Sequence, residues 1–483
     1  MKIELTGTDA RYTVEQLCQM LFPETEGCCR CRMTKRDGWL FAACRITVNS
    51  EKTNGLARCR LSGDVYRDVN LERRTLARAV YRAAEPMLTI MPAWGMLSGV
   101  RPAKLTRAHL ERGGTLSGAA GFLQREYFVS REKALLCAEA GRVAADVHAG
   151  LRRNGFSLYV HIPFCPSRCT YCSFISADGD AFKRWGDRYF SVLLEELSML
   201  GNVRRARGLV PESVYIGGGT PAIYSAERLA QLCAAIKATC GSLPEEFTVE
   251  AGRPDAITAE KLAALRRGGV TRVCVNPQTM HDATLRSIGR AHTAAETCRA
   301  FRLAREAGFP SINCDLIAGL PGERAADFRE TLDKILDLSP ENITVHTLAR
   351  KRGSAFNEQH TGATPAEELL EMLEIARTSL SDAGYLPYYL YRQKYTGGGF
   401  ENVGWTKPGY VCLYNVCMME EIGDILSAGA GAATKLTTRS FTRLTNPKYP
   451  AEYLSALDSF TVRERELLRY YEVPAAPTRT IHG

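Results

Sequence analysis

The chain has 483 residues, 45% of them hydrophobic and 24% charged, with a formal net charge of +9. This length points to two or three globular domains, and no apolar run approaches the ~18 residues that a membrane-spanning helix needs. The 17 cysteines, an odd number scattered along a long chain, argue against a secreted disulfide scaffold and for reduced thiols or a metal site.

The opening MKIELTGTDARYTVEQ has charged residues at both ends and no apolar stretch, so no secretory leader is expected and the expected location is the cytoplasm. Over residues 1–110, MKIELTG reads as a strand and YTVEQLCQMLF as a helix. GWLFAACRITVNS and LARCRLSG read as hairpin strands, and LERRTLARAVYRAAEPML as a second helix. Together they predict a small α+β domain. Cys28, Cys29 and Cys31 are read as ordinary reduced cysteines, because they are too close to converge easily on one ion and Cys29 in a strand points away from its neighbours. A helical connector is expected over 111–156.

From 157 the period changes. SLYVHIPF, SVYIGGG, FTVEAG, TRVCVNP, INCDLIAG and NITVHTLA are strand-like, and helical stretches such as SAERLAQLCAAIKATC and ADFRETLDKILDL alternate with them. Six strands each followed by helical sequence predict right-handed βα units in an α/β partial (βα)6 TIM-type barrel over 157–383. Functional residues are then expected at the carboxyl ends of the strands. Residues 384–483, through YLPYYLYRQ, TGGGFENVG and AGAGA, read as a mixed C-terminal domain that covers the substrate.

The first barrel strand runs into Cys165, Cys169 and Cys172. Three thiolates at spacings of four and three can hold a cubane iron-sulfur cluster and leave one iron open for a chelating ligand. A closed zinc site would want four ligands, usually in paired units. Gly217, Gly218 and Gly219 follow the second strand and let the backbone approach a ligand closely. Glu250 ends the third strand, Gln278 follows the fourth, Arg290 lies twelve residues on, and Asp315 sits in the fifth. A guanidinium such as that of Arg290 suits a carboxylate ligand. His161 is read as a satisfied barrel histidine. No basic stripe with interleaved aromatics is visible along the chain, so nucleic acid is not an expected partner.

At the cysteine loop the chain resembles the radical S-adenosylmethionine superfamily, whose signature is C-x3-C-x-aromatic-C on the first barrel strand. More narrowly, YVHIPFCPSRCTYCSF, YIGGGTP, NPQTM and DLIAGLPGE are similar to the oxygen-independent coproporphyrinogen III dehydrogenase group, HemN- and HemW-like proteins included. Within that group the match is strongest to the HemZ branch, through WGMLSGVRPAKL (94–105) and LYRQK…FENVGWTKPG (390–409).

The resemblance implies a radical SAM barrel with one 4Fe-4S cluster on the three cysteines and S-adenosylmethionine at its open iron. It implies cofactor contacts by Tyr159, Tyr171, Gly218, Gly219, Thr220, Glu250, Gln278, Arg290, Asp315 and Ala349. It implies oxidative decarboxylation of coproporphyrinogen III, with electrons from an external donor such as flavodoxin or ferredoxin. A tetra-anionic tetrapyrrole suits a basic protein, and Arg392 and Lys394 are candidate contacts for its carboxylates. Two positions depart from the group: Phe174 stands where the dehydrogenases have a further cysteine, and Tyr414-Asn415 lacks the histidine of the haem-chaperone branch. A haem carrier, or a radical enzyme acting on another tetrapyrrole, therefore remains an alternative.

Overall fold

The computed structural model describes residues 1–23, 25–172, 177–348, 364–393 and 399–473. The chain forms two compact units, one of Met1–Ala145 with Leu390–Glu401, the other of Asp146–Tyr389 with Asn402–Arg479.

In the first unit, β1 (Lys2–Thr6) pairs in parallel with β2 (Cys28–Arg36), which continues as an antiparallel meander through β3 (Trp39–Val48) and β4 (Glu51–Arg60). The sequence of β3 alternates strictly: Leu40, Ala42, Cys44 and Ile46 are buried, and Trp39, Phe41, Ala43 and Arg45 are exposed. One sheet face is therefore apolar, and the helix Val65–Ala84 lies on it against β3 and β4. Asp64 caps that helix by accepting from the Tyr66 and Arg67 amides. Gly55 sets how close the helix comes, because a Cβ there would stand 2.1 Å from the Ala79 carbonyl oxygen.

In this core Cys29 points away from Cys28, as expected, but it does not stand alone. Cys29 and Cys31 are two apart on β2 and share its inner face, and Cys44 stands opposite Cys31 on β3. Their sulfurs lie 3.2–3.7 Å from one another. Farther along the unit, two blocks remote in sequence meet: Trp94 donates through Nε1 to Glu401 at 2.7 Å, and Lys133 pairs with the same carboxylate.

In the second unit β5 (Gly155–Ile162), β6 (Val210–Gly218), β7 (Glu246–Gly252), β8 (Arg272–Val275), β9 (Ser311–Ala318) and β10 (Asn342–Thr347) lie side by side in chain order, all parallel. Helices such as Gly179–Arg207, Ala226–Cys240 and Ala325–Leu338 connect them. This is the βα succession that the alternating periods predict. The later chain extends the same sheet at both edges. β12 (Glu401–Thr406) and then β11 (Leu386–Arg392) lie beyond β10, and β13 (Asp424–Ala428), β14 (Ala433–Leu436) and β15 (Thr442–Thr445) follow β5.

Along β5, Phe156, Leu158, Val160 and Ile162 are buried on the helix-facing side, and Ser157, Tyr159 and His161 point the other way. The C-terminal strands are fastened through Glu196, which is fully buried. Its carboxylate accepts from Arg463 at 2.6 Å, Tyr453 at 2.5 Å and the Gly429 amide at 2.8 Å. A buried carboxylate this fully partnered locks one arrangement, because removing Arg463 would leave its charge uncompensated. Among the described residues, no helix is long and apolar enough to cross a membrane.

Candidate functional site

The carboxyl ends of β5–β9 bring the predicted residues together. The cysteine loop leaves β5 at Phe164, which is fully buried and edge-on to Phe182 and Tyr189. Its two ends are joined by Cys165 N–H to Ala177 O at 2.9 Å and Ala177 N–H to Pro163 O at 2.7 Å. Its middle is fixed by Thr170 N–H donating to Ile288 O at 3.1 Å. Gly289, with φ +75°, makes that approach possible, since a Cβ would stand 3.3 Å from Arg168 O. The loop is thus held from two elements more than 100 residues apart in sequence.

Beside it, the turn after β6 is a cradle that only glycine fits. A Cβ on Gly218, whose φ is +111°, would stand 2.2 Å from the His161 ring. One on Gly219 would stand 2.4 Å from Phe164 O and 3.0 Å from Cys165 Sγ. Thr220 is buried, and its hydroxyl is 3.6 Å from Cys165 Sγ. His161 itself is engaged with Ala430 O, the structural partnering that its strand position predicts.

Glu250 accepts from Tyr215 Oη at 2.5 Å and from the Gly218 amide at 3.2 Å. Burial pushes its carboxyl up to about 7, and the nearby Asp315 adds to the effect. Asp315 is buried too, but His346, with Asn313 and Thr344, outweighs burial and holds it below the usual carboxylate value. Gln278 takes φ +71°, rare for a side-chain-bearing residue. Its N–H and O bond Asp315 O and the Ile317 N–H, both at 3.0 Å. Strain of this kind, on the order of 1–3 kcal/mol, collects at functional sites. Tyr159 stacks on Tyr414, with ring centres 5.7 Å apart, and Tyr414 stacks on Tyr215 at 4.3 Å.

Arg290 is 8% exposed. It donates to Tyr171 Oη at 3.0 Å and Asn276 O at 3.3 Å, and its Nε is buried without a partner. Burial alone would lower the guanidinium, yet Tyr171 and Cys169 beside it hold it above the ordinary arginine value. A permanently charged group with an unused donor is a fitting receptor for a carboxylate.

One expected contact is placed elsewhere, and three positions fall outside the described residues. Arg392 does not present its guanidinium to a ligand. It is 5% exposed within the first unit, donates to Gly399 O at 2.7 Å and to Leu97 O, and lies over the Trp94 ring at 5.1 Å. Burial lowers it to about 10, and the hydrogen bonds described for it go to backbone carbonyls of the first unit. Phe174, Ala349 and Lys394 lie outside the described residues.

Sequence reasoning missed Arg253. It is 3% exposed and donates to Ser167 Oγ at 2.7 Å and Ser167 O at 3.2 Å, with Cys169 Sγ 4.0 Å away. Asp255 grips its far side through two bonds of 3.1 Å, and His292 lies 3.7 Å from that carboxylate. The signal was present: a guanidinium two residues before a carboxylate, at the end of a barrel strand.

These residues fit a cluster and a chelating amino-acid cofactor. Among the described residues, Cys29, Cys31 and Cys44 form the group of three whose sulfurs all lie within 4.8 Å. Cys165, Cys169 and Cys172, by contrast, are half-buried rather than sealed in a core, open to ligate a cluster. The cradle and the unpartnered Arg290 donor then offer room and charge beside the cluster.

Fold and site together define a radical S-adenosylmethionine protein, and residues 159–335 match the Radical SAM superfamily model. Such proteins use a 4Fe-4S cluster on three cysteines together with S-adenosylmethionine. The chain belongs to the family of the oxygen-independent coproporphyrinogen-III oxidase-like protein HemZ of Bacillus subtilis, to which it is 38% identical over 398 residues, 79% of this chain and 78% of that one. It is also 32% identical to the haem chaperone HemW of Haemophilus influenzae over 304 residues, 62% of this chain and 75% of that one. The coproporphyrinogen III oxidase of Escherichia coli shares the fold, with a TM-score of 0.53 at 19% identity over 68% of this chain and 82% of that one.

Proposed function

We propose that this protein is an oxygen-independent coproporphyrinogen dehydrogenase, oxidising and decarboxylating propionate side chains of coproporphyrinogen III. The observation that carries the reading is the convergence of the Cys165–Cys172 loop, the Gly218–Gly219 cradle and the buried Arg290 donor at one end of the sheet.

In this reading Cys165, Cys169 and Cys172 hold the cluster. When bound, the reduced cluster and S-adenosylmethionine supply a hydrogen-abstracting carbon radical by one-electron cleavage of the sulfonium. Arg290 holds the cofactor's carboxylate, Glu250 and Gln278 receive its amino and hydroxyl groups, and Asp315 anchors the ribose. Tyr171 and the apolar group of Ile288, Ile317 and Leu320 around it exclude water beside the cluster. The resemblance to HemZ and to the Escherichia coli oxidase supports the tetrapyrrole as substrate.

The second reading is haem delivery without turnover, favoured by the HemW relatives and by Phe174. Anaerobic incubation with propionate-deuterated coproporphyrinogen distinguishes the two. Deuterium in 5′-deoxyadenosine, with loss of two carboxyl groups from the substrate by mass spectrometry, is the outcome expected. Stoichiometric haem binding with no deuterium transfer would establish the carrier instead.

A further inference from the structure

The face of the first unit's sheet that turns away from its helices is ordered in rows. By register, Arg36 stands opposite Trp39 and Trp39 opposite Arg60; one step on, Thr34 stands opposite Phe41 and Phe41 opposite Arg58. The central strand thus carries the rings, and the strands beside it carry guanidiniums. Trp39 is 37% exposed, Phe41 38% and Leu56 68%. Arg58 lies over the Trp39 ring at 5.3 Å. A cavity of about 620 Å³ lies among Arg32, Thr34, Phe41, Leu56, Arg58 and Arg82.

The charge of this face is one-sided. Arg30 and Arg45 stand directly opposite each other, an arrangement that costs stability where nothing neutralises it. Glu4 on β1 answers Arg30 at 2.5 Å and Lys2 at 2.9 Å, and Asp37 in the β2–β3 turn answers Arg36. Arg32, Arg58 and Arg60 sit on the same exposed face. A sheet face that is merely solvated mixes its signs. This one surrounds exposed aromatic rings with cations.

We propose that this sheet face binds single-stranded nucleic acid. Guanidiniums grip phosphates through paired hydrogen bonds, and a flat aromatic ring stacks on any base. The ten residues of β3 span roughly 33 Å, room for several nucleotides. In a duplex the bases are already stacked on one another, so Trp39 and Phe41 would find no partner. An anionic membrane surface could also engage arginines and interfacial rings, so vesicles form the competing arm of the test. The pattern is invisible along the chain, because each aromatic meets its arginines across strands.

The test uses the full chain with its cluster, titrated anaerobically against a fluorescein-labelled oligouridine of about twelve nucleotides and read by anisotropy. Saturable binding is expected, with log K falling linearly in log salt. Trp39→Ala and Phe41→Ala should each weaken it about five- to a hundredfold at unchanged salt slope. Phe41→Leu, which keeps apolar bulk and so guards against misfolding, should weaken it as well. Arg32→Gln and Arg58→Gln should each lower the slope by about one phosphate contact. Cluster absorbance and thermal midpoint serve as fold controls. Absence of saturable binding at low salt would overturn the proposal. So would ring variants that bind like the parent, or equally tight binding to phosphatidylserine vesicles.

Discussion

The Arg253 guanidinium sits 4.0 Å from Cys169 Sγ while donating to Ser167 in the same loop. A buried cation next to a ligand sulfur favours the more negative, reduced state of a cluster. Arg253→Gln should therefore make the cluster harder to reduce, by on the order of tens of millivolts, with iron content retained. An anaerobic redox titration followed by EPR measures this directly, and an unchanged midpoint would leave Arg253 as a purely structural brace.

Two cysteine trios make opposite predictions. Replacing Cys165, Cys169 or Cys172 by alanine should abolish the brown chromophore and the roughly four irons per chain. Serine at Cys29, Cys31 or Cys44 should leave iron unchanged and lower the thermal midpoint, because a buried hydroxyl without a strong partner costs about 1–3 kcal/mol. Loss of iron from the second set would reverse the assignment.

Arg290→Ala and Asp315→Ala should weaken S-adenosylmethionine binding roughly ten- to a hundredfold, since a lost hydrogen bond to a charged group costs about 1.5–3 kcal/mol. Iron content should stay the same in both. Equilibrium dialysis gives the affinity, and parent-like binding by either variant removes that residue from the site.

Glu250 predicts a pH dependence. Its folded value of about 7 lies above the ordinary 4.5, so between those values the folded state holds the extra proton. Its contribution to stability is complete below pH ~4.5 and is lost as the pH rises through ~7, a change of about 1–3 kcal/mol. A cofactor ammonium beside Glu250 favours the ionised form, so affinity for S-adenosylmethionine should rise with pH and level off above ~7. Glu250→Gln should flatten both curves, as followed by thermal melts and binding isotherms across that range.

Arg392→Gln should destabilise the first unit, because it strands the Leu97 and Gly399 carbonyls at a cost of about 1–3 kcal/mol. Reductive cleavage of S-adenosylmethionine should continue in the variant. A selective rise in tetrapyrrole requirement at unchanged thermal midpoint would restore it as a substrate contact.

The sequence by itself determined what short range can encode. Strict alternation in WLFAACRITV, the succession of strand-like and helical stretches after 157, the three-glycine turn and the spacing of Cys165, Cys169 and Cys172 are local, and they reappear in the structure where they were read. Tertiary structure decided what depends on strand register and on chain segments brought together from afar. Arg253 meets Ser167 across 86 positions, and Tyr414 comes from the far end of the chain to stack between Tyr159 and Tyr215. The YRQK arginine, which composition alone offers to a ligand, is instead buried against Trp94. The rows Arg36–Trp39–Arg60 and Thr34–Phe41–Arg58 exist only once β2, β3 and β4 are paired. The physical reason is that a residue's period fixes which face it takes, while its neighbours on that face are set by the register that buries the most apolar surface over the whole sheet.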